Sequence, residues 1–412
     1  MSKALRRPQI SVLSRQNRLI AILGAIAAIG PLSIDMYLPG FPDIAQDLNT
    51  SISQVSLSLT AYFAGISLGQ FIYGPLLDRY GRKRPLLIGF ALYFVAAIGC
   101  ALAPGIYPFI LLRLLLALGG CVGMVAARAI IRDSFENEDI ARAFSSLILV
   151  MGVAPIAAPS LGGLLIENLG WRSVFWVLTA YSAGLLLLIG FGLGETHRPD
   201  PKVSLRPRQV GQSYWKVLRN RQFLVYSIGG TIGMAALFTY ISGAPFVLMN
   251  ILGFSQSTFG WLFGSNALFF VVGSQVNRAL LKRVDTAVLT RTAALVASAA
   301  MLYLVTLVAV GIPGPVSFLG GLFCFTFFLG LINPNLQAIA LEPFRSNAGR
   351  ASALMGSIRM LGGALASSLV GLLHNGTAWP MVGLMASLIV AVTLLLWYEY
   401  FLRRPAASHV EA

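Results

Sequence analysis

Charge is scarce in this sequence: 11% of its 412 residues are Asp, Glu, Lys or Arg, against about 25% in a soluble globular chain. Acid is scarcer still, with 15 Asp and Glu facing 30 Lys and Arg. Because 57% of the residues are hydrophobic, a string of soluble domains is excluded and most of the chain belongs in lipid. Histidine and cysteine number three each. His197, His374 and His409 share no ligand spacing, so no metal site is expected. Cys100, Cys121 and Cys324 each lie in an apolar run and none forms a CxxC, which leaves no disulfide framework. An enzyme would need clustered nucleophile, base or metal residues and a channel a filter-like repeat; neither is present. No catalytic residue and no cofactor is therefore expected.

What is abundant is apolar sequence in long runs. A spanning helix needs about 20 mostly apolar residues. Runs of that kind begin near Leu19, Val55, Pro85, Tyr107, Ala141 and Val174, and again near Phe223, Thr258, Ala287, Pro315, Ala348 and Ala378. Leu19 to about Gly40 is read as a retained first span, because no small-residue cleavage site follows it promptly. Between the two sets lies a polar link, Glu195 to Arg221, with Arg198, Lys202, Arg206, Arg208, Lys216 and Arg219 and three prolines. It is expected to be a disordered basic linker without specific contacts. The division is thus residues 1–194, a first six-helix bundle; 195–221, a cytoplasmic linker; and 222–412, a second six-helix bundle.

The net charge of +15 invites a nucleic-acid partner. A binder of that kind needs its basic residues on one solvated face with aromatics nearby. Here they sit in alternate links: Lys3, Arg6, Arg7, Arg15 and Arg18 in the leading tail, Arg79, Arg82, Lys83 and Arg84 after the second span, Arg278, Lys282 and Arg283 after the eighth, Arg403 and Arg404 at the end. The opposite links hold only Arg172. The positive-inside rule then puts both termini and the central link in the cytoplasm. The expected partner is the bilayer, not nucleic acid.

The halves also repeat. Ser53-Gln54 is matched by Ser255-Gln256, Gly74-Pro-Leu-Leu-Asp78-Arg79 by Gly273-Ser-Gln-Val-Asn277-Arg278, and Arg142-Ala143 by Arg350-Ala351, each pair separated by about 200 residues. Parallel repeats related by an axis along the membrane normal are a transporter plan, with substrate held between halves near the midplane. The expected fold is all-α, twelve spans in two pseudo-symmetric six-helix bundles, and one chain holds a complete pathway, so a monomer is expected.

The link after the second span reads Gly74-Pro-Leu-Leu-Asp78-Arg79-Tyr80-Gly81-Arg82-Lys83-Arg84. Gly74 permits another helix to approach closely, and Gly81 a tight reversal. Asp78 can face the positive end of a neighbouring helix, and Arg82 can pair with a carboxylate such as Asp133. Asp35 lies among apolar neighbours in the first span. A carboxylate inside the bilayer faces a cavity, takes a proton or finds a cation. Burial favours its protonated form and a nearby guanidinium its charged form, so a group moved between the two settings can carry a proton. The alternative is a carboxylate near the headgroups that caps or orients a helix. Arg113, in the fourth span, needs a partner or must snorkel to the interface. Arg359, in the eleventh, is a similar case. In the fifth span Gly152, Pro155, Pro159, Gly162 and Gly163 describe a kinked, smooth helix suited to rocking between halves. Tyr37, Tyr62, Gln70, Asn266, Asn333, Asn335 and Gln337 are embedded polar residues that could line a cavity.

At the Gly74–Lys83 motif the chain resembles the major facilitator superfamily, whose signature Gly-x-x-x-Asp-Arg-x-Gly-Arg-Arg/Lys is met at every fixed position. Ser33-Ile-Asp35-Met-Tyr37-Leu-Pro39, Arg132-Asp133 and Ala378-Trp379-Pro380 resemble the bicyclomycin/chloramphenicol resistance branch of its drug:proton antiporters. The resemblance implies that Gly74, Asp78, Arg79, Gly81, Arg82 and Asp133 gate the inside face by contacts between halves. It implies a proton-coupling role for Arg113, although the Gln and Gly of the family's Arg-x-x-Gln-Gly are replaced by Leu116 and Ala117. Residues 152–163 resemble the fifth-helix antiporter motif, with Ala158 in place of its first Gly, which implies exchange rather than uptake. The function implied is proton-coupled efflux of amphipathic small molecules, antibiotics among them, across a bacterial inner membrane. The alternative is transport of a metabolite such as a sugar or an amino acid derivative. The sequence does not name the substrate.

Overall fold

A computed structural model describes residues 8–135, 137–201, 207–311 and 314–403. Lys3, Arg6, Arg7, Lys202, Arg206, Arg404 and His409 lie outside them. Among the described residues every regular element is helical, and twelve helices are long and apolar enough to cross a membrane. The first half is built of α1 (Pro8–Asp35), the short α2 (Phe41–Asp47), α3 (Ile52–Tyr80), α4 (Lys83–Ala101), α5 (Ile106–Ser134), α6 (Asn137–Leu169) and α7 (Arg172–Gly192). After α8 (Pro207–Leu218) the second half runs through α9 (Arg221–Pro245), α10 (Gln256–Leu280), α11 (Thr286–Val310), α12 (Pro315–Leu341), α13 (Ala348–Leu372) and α14 (Trp379–Arg403).

Local chemistry fixes several ends. Ser51 and Ser255 cap α3 and α10, accepting from the amides of Gln54 and Thr258, so the structural match of Ser255 is Ser51 rather than the Ser53 that the sequence repeat paired with it. Asn220 caps α9, and Asp285 caps α11. Each side-chain oxygen satisfies one of the donors that a helix start leaves open. Gly81 takes φ +84°, which a side chain would strain, and turns α3 into α4 within two residues.

Two differences from expectation matter. The first span is longer than Leu19–Gly40: it runs Asn17–Asp47 and breaks after Asp35, where the chain passes through a turn and a 3-10 stretch, Leu38–Gly40, before α2. Pro39 and Pro42 stop α1 from continuing. The linker is not structureless either. Tyr214 and Val217 of α8 are buried, and the Tyr214 ring packs edge-on against Phe71 of α3 at 5.5 Å. The prolines and basic residues suggest coil, but α8 has an apolar face, and burying it is what stabilises a short helix.

Helices of the first half pack mainly on one another, as do those of the second. The halves meet along two seams, α3 on α13 and α6 on α10. One end of the bundle carries the Gly74–Arg84 loop, the start of α1 and the end of α14 and is called the basic end below. The other carries Asp43, Asp47, Arg172 and His374 and is called the far end.

Candidate functional site

The α6–α10 seam is made by backbone rather than by side chains. A Cβ at Gly260 would stand 2.5 Å from the Pro159 carbonyl oxygen, one at Gly163 would stand 2.7 Å from that of Gln256, and one at Gly264 would overlap that of Ile156. Gly162 instead faces the break after α1, closed on the Met36 carbonyl, and Gly152 meets Val271 of α10 at ordinary contact. Pro155 and Pro159 lie inside α6 without breaking it. Gly152, Pro155, Pro159, Gly162 and Gly163 thus lie on a helix wedged between the two halves, smooth on both faces.

The halves are tied toward the far end. Gln256 donates to Asp43 at 2.7 Å, Ser53 to the Gly371 carbonyl at 2.5 Å, and Ser67 to the Ser357 carbonyl at 2.9 Å. Phe63 and Phe238 meet across the α3–α9 contact with centroids 4.3 Å apart. Toward the basic end the contact loosens. Gly74 was expected to receive a neighbouring helix, yet a Cβ there would meet nothing within 4 Å. The hydrogen bonds described between the halves lie away from Gly74, and no described surface of the second half reaches it. Arg128, well inside α5, is exposed and lies within electrostatic reach of Arg359 on α13. The molecule is closed at the far end and open at the basic end.

The loop at the basic end is held by ions. Arg82, its side chain 6% exposed, donates from Nε to Asp133 and from Nη1 to Asp78, both at 2.7 Å. Burial pulls the Arg82 guanidinium down, but its hydrogen bonds to Asp133 and Asp78 outweigh that and hold it above its ordinary value. Asp78 was expected at a helix N-terminus; it instead sits one turn before Arg82 and is 55% exposed on its side chain. Arg79 lies over the Tyr80 ring at 5.7 Å. A residue not singled out by sequence completes the loop. Glu195, at the end of the first half, accepts from the amides of Arg82 at 2.7 Å and Lys83 at 3.2 Å, so it caps α4 from the linker side. No local pattern marks it, because its partners lie more than 100 residues earlier.

Asp35 ends α1, is 5% exposed, and forms no hydrogen bond or ion pair among the described residues. A helix C-terminus presents carbonyls, so the backbone offers this carboxyl no donor. It caps no helix among the described residues. It lies within electrostatic range of Tyr62 in the first half and Tyr240 in the second. Arg113 is fully buried and is not its ion-pair partner. Nη1 donates to the Ser33 carbonyl at 2.9 Å, and the guanidinium lies over the rings of Tyr37 at 4.0 Å and Tyr62 at 4.5 Å, while Nε and Nη2 have no partner. Cation–π contact replaces the missing carboxylate. Tyr62 therefore stands between the acid and the arginine.

The proposed cavity residues divide. Tyr37 and Tyr62 are each 1% exposed. Tyr37 is not a cavity residue: its ring packs on Phe41, Phe109 and Phe175 and its hydroxyl on Ser58, all within the first half. Tyr62 faces Arg113 and Asp35 as described. Gln70 lies in the α3–α13 seam against Gly356. Asn266 is buried with both amide atoms unpaired, next to the Tyr240 ring stacked on Phe263. Asn333 donates to the Met234 sulfur at 3.2 Å and its Oδ1 is unpaired. Gln337 accepts from Arg359 at 3.0 Å. Asn335 belongs elsewhere: it exchanges hydrogen bonds of 2.8 and 3.0 Å with Asn277 and reaches Thr290, a closed amide knot within the second half. No group of three His, Cys, Asp or Glu residues could hold a metal ion among the described residues.

Comparison with known proteins agrees with this architecture. The profile of the Major Facilitator Superfamily matches residues 23–367 and 244–412. The chain is 37% identical over 372 residues to the uncharacterized MFS-type transporter YdgK of Bacillus subtilis, covering 88% of this chain and 90% of that one. It is 32% identical to the multidrug resistance protein MdtL of Escherichia coli O81, covering 94% and 96%. It is 29% identical to the bicyclomycin resistance protein homolog of Haemophilus influenzae, covering 92% and 95%. Among solved structures, a bacterial homolog of the human lysosomal transporter Spinster superposes with a TM-score of 0.73 at 16% identity over 98% of each chain. A D-xylose-proton symporter gives 0.71 at 16% identity over 93% and 97%.

Proposed function

The chain belongs to the major facilitator superfamily, and on that premise we propose that it exports amphipathic small molecules, antibiotics among them, in exchange for protons. In this reading the basic end faces the cytoplasm and the far end the outside of a bacterial inner membrane, which the distribution of Lys and Arg supports. The structure as described is then the inward-open state, with the far-end ties closed.

The observation that carries the reading is Asp35: a buried carboxyl with no donor and no cation, at the break of the first span, within electrostatic range of a phenol from each half. An intramembrane carboxyl without a fixed partner is placed to take up and release a proton as its surroundings change. Rocking about the glycine-lined α6–α10 seam changes those surroundings, because the seam binds the halves without locking side chains. Arg113, one phenol away, sets the field in which the proton is gained or lost. Arg82, with Asp78 and Asp133, holds the basic-end loop, and closing the open end brings a second-half helix onto Gly74. The names of the relatives MdtL and the bicyclomycin resistance protein homolog support drug as the solute.

The test uses the full-length protein in everted membrane vesicles with an imposed pH gradient. Asp35→Asn keeps the size of the side chain and removes its proton. Gradient-driven solute movement is expected to fall to the level of vesicles lacking the protein. Undiminished movement by the variant overturns the reading.

A further inference from the structure

Two arginines on opposite walls of the open end take no part in the proton site or the loop. Arg128 lies on α5, six residues before its end, roughly 9 Å along the axis. Arg359 lies on α13, eleven residues from its start, roughly 16 Å along the axis. One belongs to each half, and Arg359 lies within electrostatic reach of Arg128. Arg132, one turn from Arg128 toward the basic end, acts on Arg128 in the same way. Three like charges thus climb from the open mouth into the gap between halves.

Among the described residues no acid pairs with Arg128 or Arg359, and Arg128 makes no hydrogen bond there. Three acids of the described residues are engaged elsewhere: Asp133 with Arg82, Glu342 with Gln222, Glu399 with Arg221. Arg359 spends only Nη1, on Gln337; its Nε and Nη2 are buried and unpaired. The fold makes room for that guanidinium, since a Cβ at Gly230 of α9 would stand 2.7 Å from Nη2. Leaving buried guanidinium donors unpaired costs free energy, and two like charges facing each other in a gap add repulsion. Such an arrangement persists where it serves a ligand that removes both penalties.

We propose that Arg128 and Arg359 form an oxyanion-binding site bridging the two halves, filled by the carboxylate, sulfonate or phosphate group of an amphipathic solute. This rests on the efflux reading above and names the substrate class of that cavity. An oxyanion accepts the free Nε and Nη2 donors of Arg359 in the fork geometry that guanidinium supplies. Arg128 neutralises it from the first half, and Arg132 at the mouth raises its local concentration. Because one arginine sits on each half, the anion is also a bridge that draws the open end together. Gln337 positions Arg359 through its Oε1, and the unpaired Oδ1 of Asn333, on the same face of α12 one turn away, remains for a hydroxyl or amide of the same solute.

The test compares two xanthene dyes of nearly equal shape, anionic carboxyfluorescein and cationic rhodamine 123, binding to the purified full-length protein by fluorescence anisotropy. Carboxyfluorescein is expected to bind at least 10-fold more tightly. Arg128→Gln and Arg359→Gln are each expected to weaken it 10-fold or more while leaving rhodamine 123 unchanged or tighter, with Arg359→Lys recovering part of the loss. Equal binding of the two dyes, unchanged carboxyfluorescein binding in the variants, or equal loss of both dyes overturns the proposal. If a glutamine variant does not fold, the unmodified protein decides alone: benzoate must displace carboxyfluorescein at least 10-fold better than benzamide, and equal displacement sinks the site. Everted vesicles separate this from the efflux reading. Preserved dye selectivity in binding, with no gradient-driven movement of either dye, leaves the anion site standing and removes the export function.

Discussion

The two copies of one sequence motif have been put to opposite uses. In the first half, Gly74 faces open space and the motif ends in ions, Arg82 with Asp78 and Asp133, at the surface of the open end. In the second half, Gly273 is closed against the Phe327 carbonyl of α12, and Asn277, standing where the first copy has Asp78, is 3% exposed in the amide knot with Asn335. The glycine is the same and the partner surface is not. A glycine pressed on a neighbouring backbone fixes two helices in register. A glycine with nothing against it keeps a place for a helix that arrives in another state. The acid-to-amide change follows: a carboxylate at a wet surface can exchange partners, whereas a buried one without a cation is costly, and an amide satisfies itself reciprocally.

Matched substitutions give the widest separation. Alanine raises helix propensity by about 1 kcal/mol over glycine, and Gly74→Ala is expected to gain up to that amount, since its Cβ meets nothing. Gly273→Ala is expected to lose about 2 kcal/mol, because overpacking against a backbone outweighs propensity. Thermal unfolding of the two purified variants checks this, and equal shifts would erase the contrast. Gly74→Ala should nonetheless slow transport, since the space it fills is needed on closing. Next in size is Arg82→Ala, which leaves Asp133 half-buried and unpaired; a loss of about 2 kcal/mol is expected, short of a fully buried pair because Asp78 is exposed. Added salt should erode the Arg82 contribution and leave the amide knot untouched. The smallest effect is Asn277→Ala, about 1 kcal/mol for the hydrogen bonds withdrawn from Asn335, which keeps Thr290. Salt-dependent loss at Asn277, or salt-independent loss at Arg82, would show that the two copies are held by the same forces after all.

Much of this was legible in the sequence, for physical reasons. Spans declare themselves because a bilayer demands a length and a polarity that no short core run meets, and the pairing of Arg82 with Asp133 was open to inference because both lie at the same membrane face. Depth and azimuth were not legible. Tyr37 and Tyr62 read as cavity polars, but the break after α1 and the packing of α3 on α5 turn them onto Arg113. Arg128 and Arg132 sit one turn apart near a basic end, where a snorkelling arginine and a ligand-facing one look alike; only the neighbour from the other half distinguishes them. Asp35 was visible as an embedded acid, whereas the helix break beneath it depends on how Pro39 and Pro42 are accommodated. Glu195 and α8 were missed because their partners, the α3–α4 turn and Phe71, are remote in the chain.

The docking of α8 on Phe71 has a mechanical consequence. The segment joining the halves touches the first half at two described points, Glu195 at its start and the Tyr214 ring on Phe71 near its end, while α8 also lies against α9 and α13 of the second half. It behaves as a check strap rather than a slack cord. Swinging α9 away from α3 must either stop when the strap is taut or peel the Tyr214 ring off Phe71. The adjacent Trp215, 57% exposed, is a built-in reporter whose emission would register which of the two occurs.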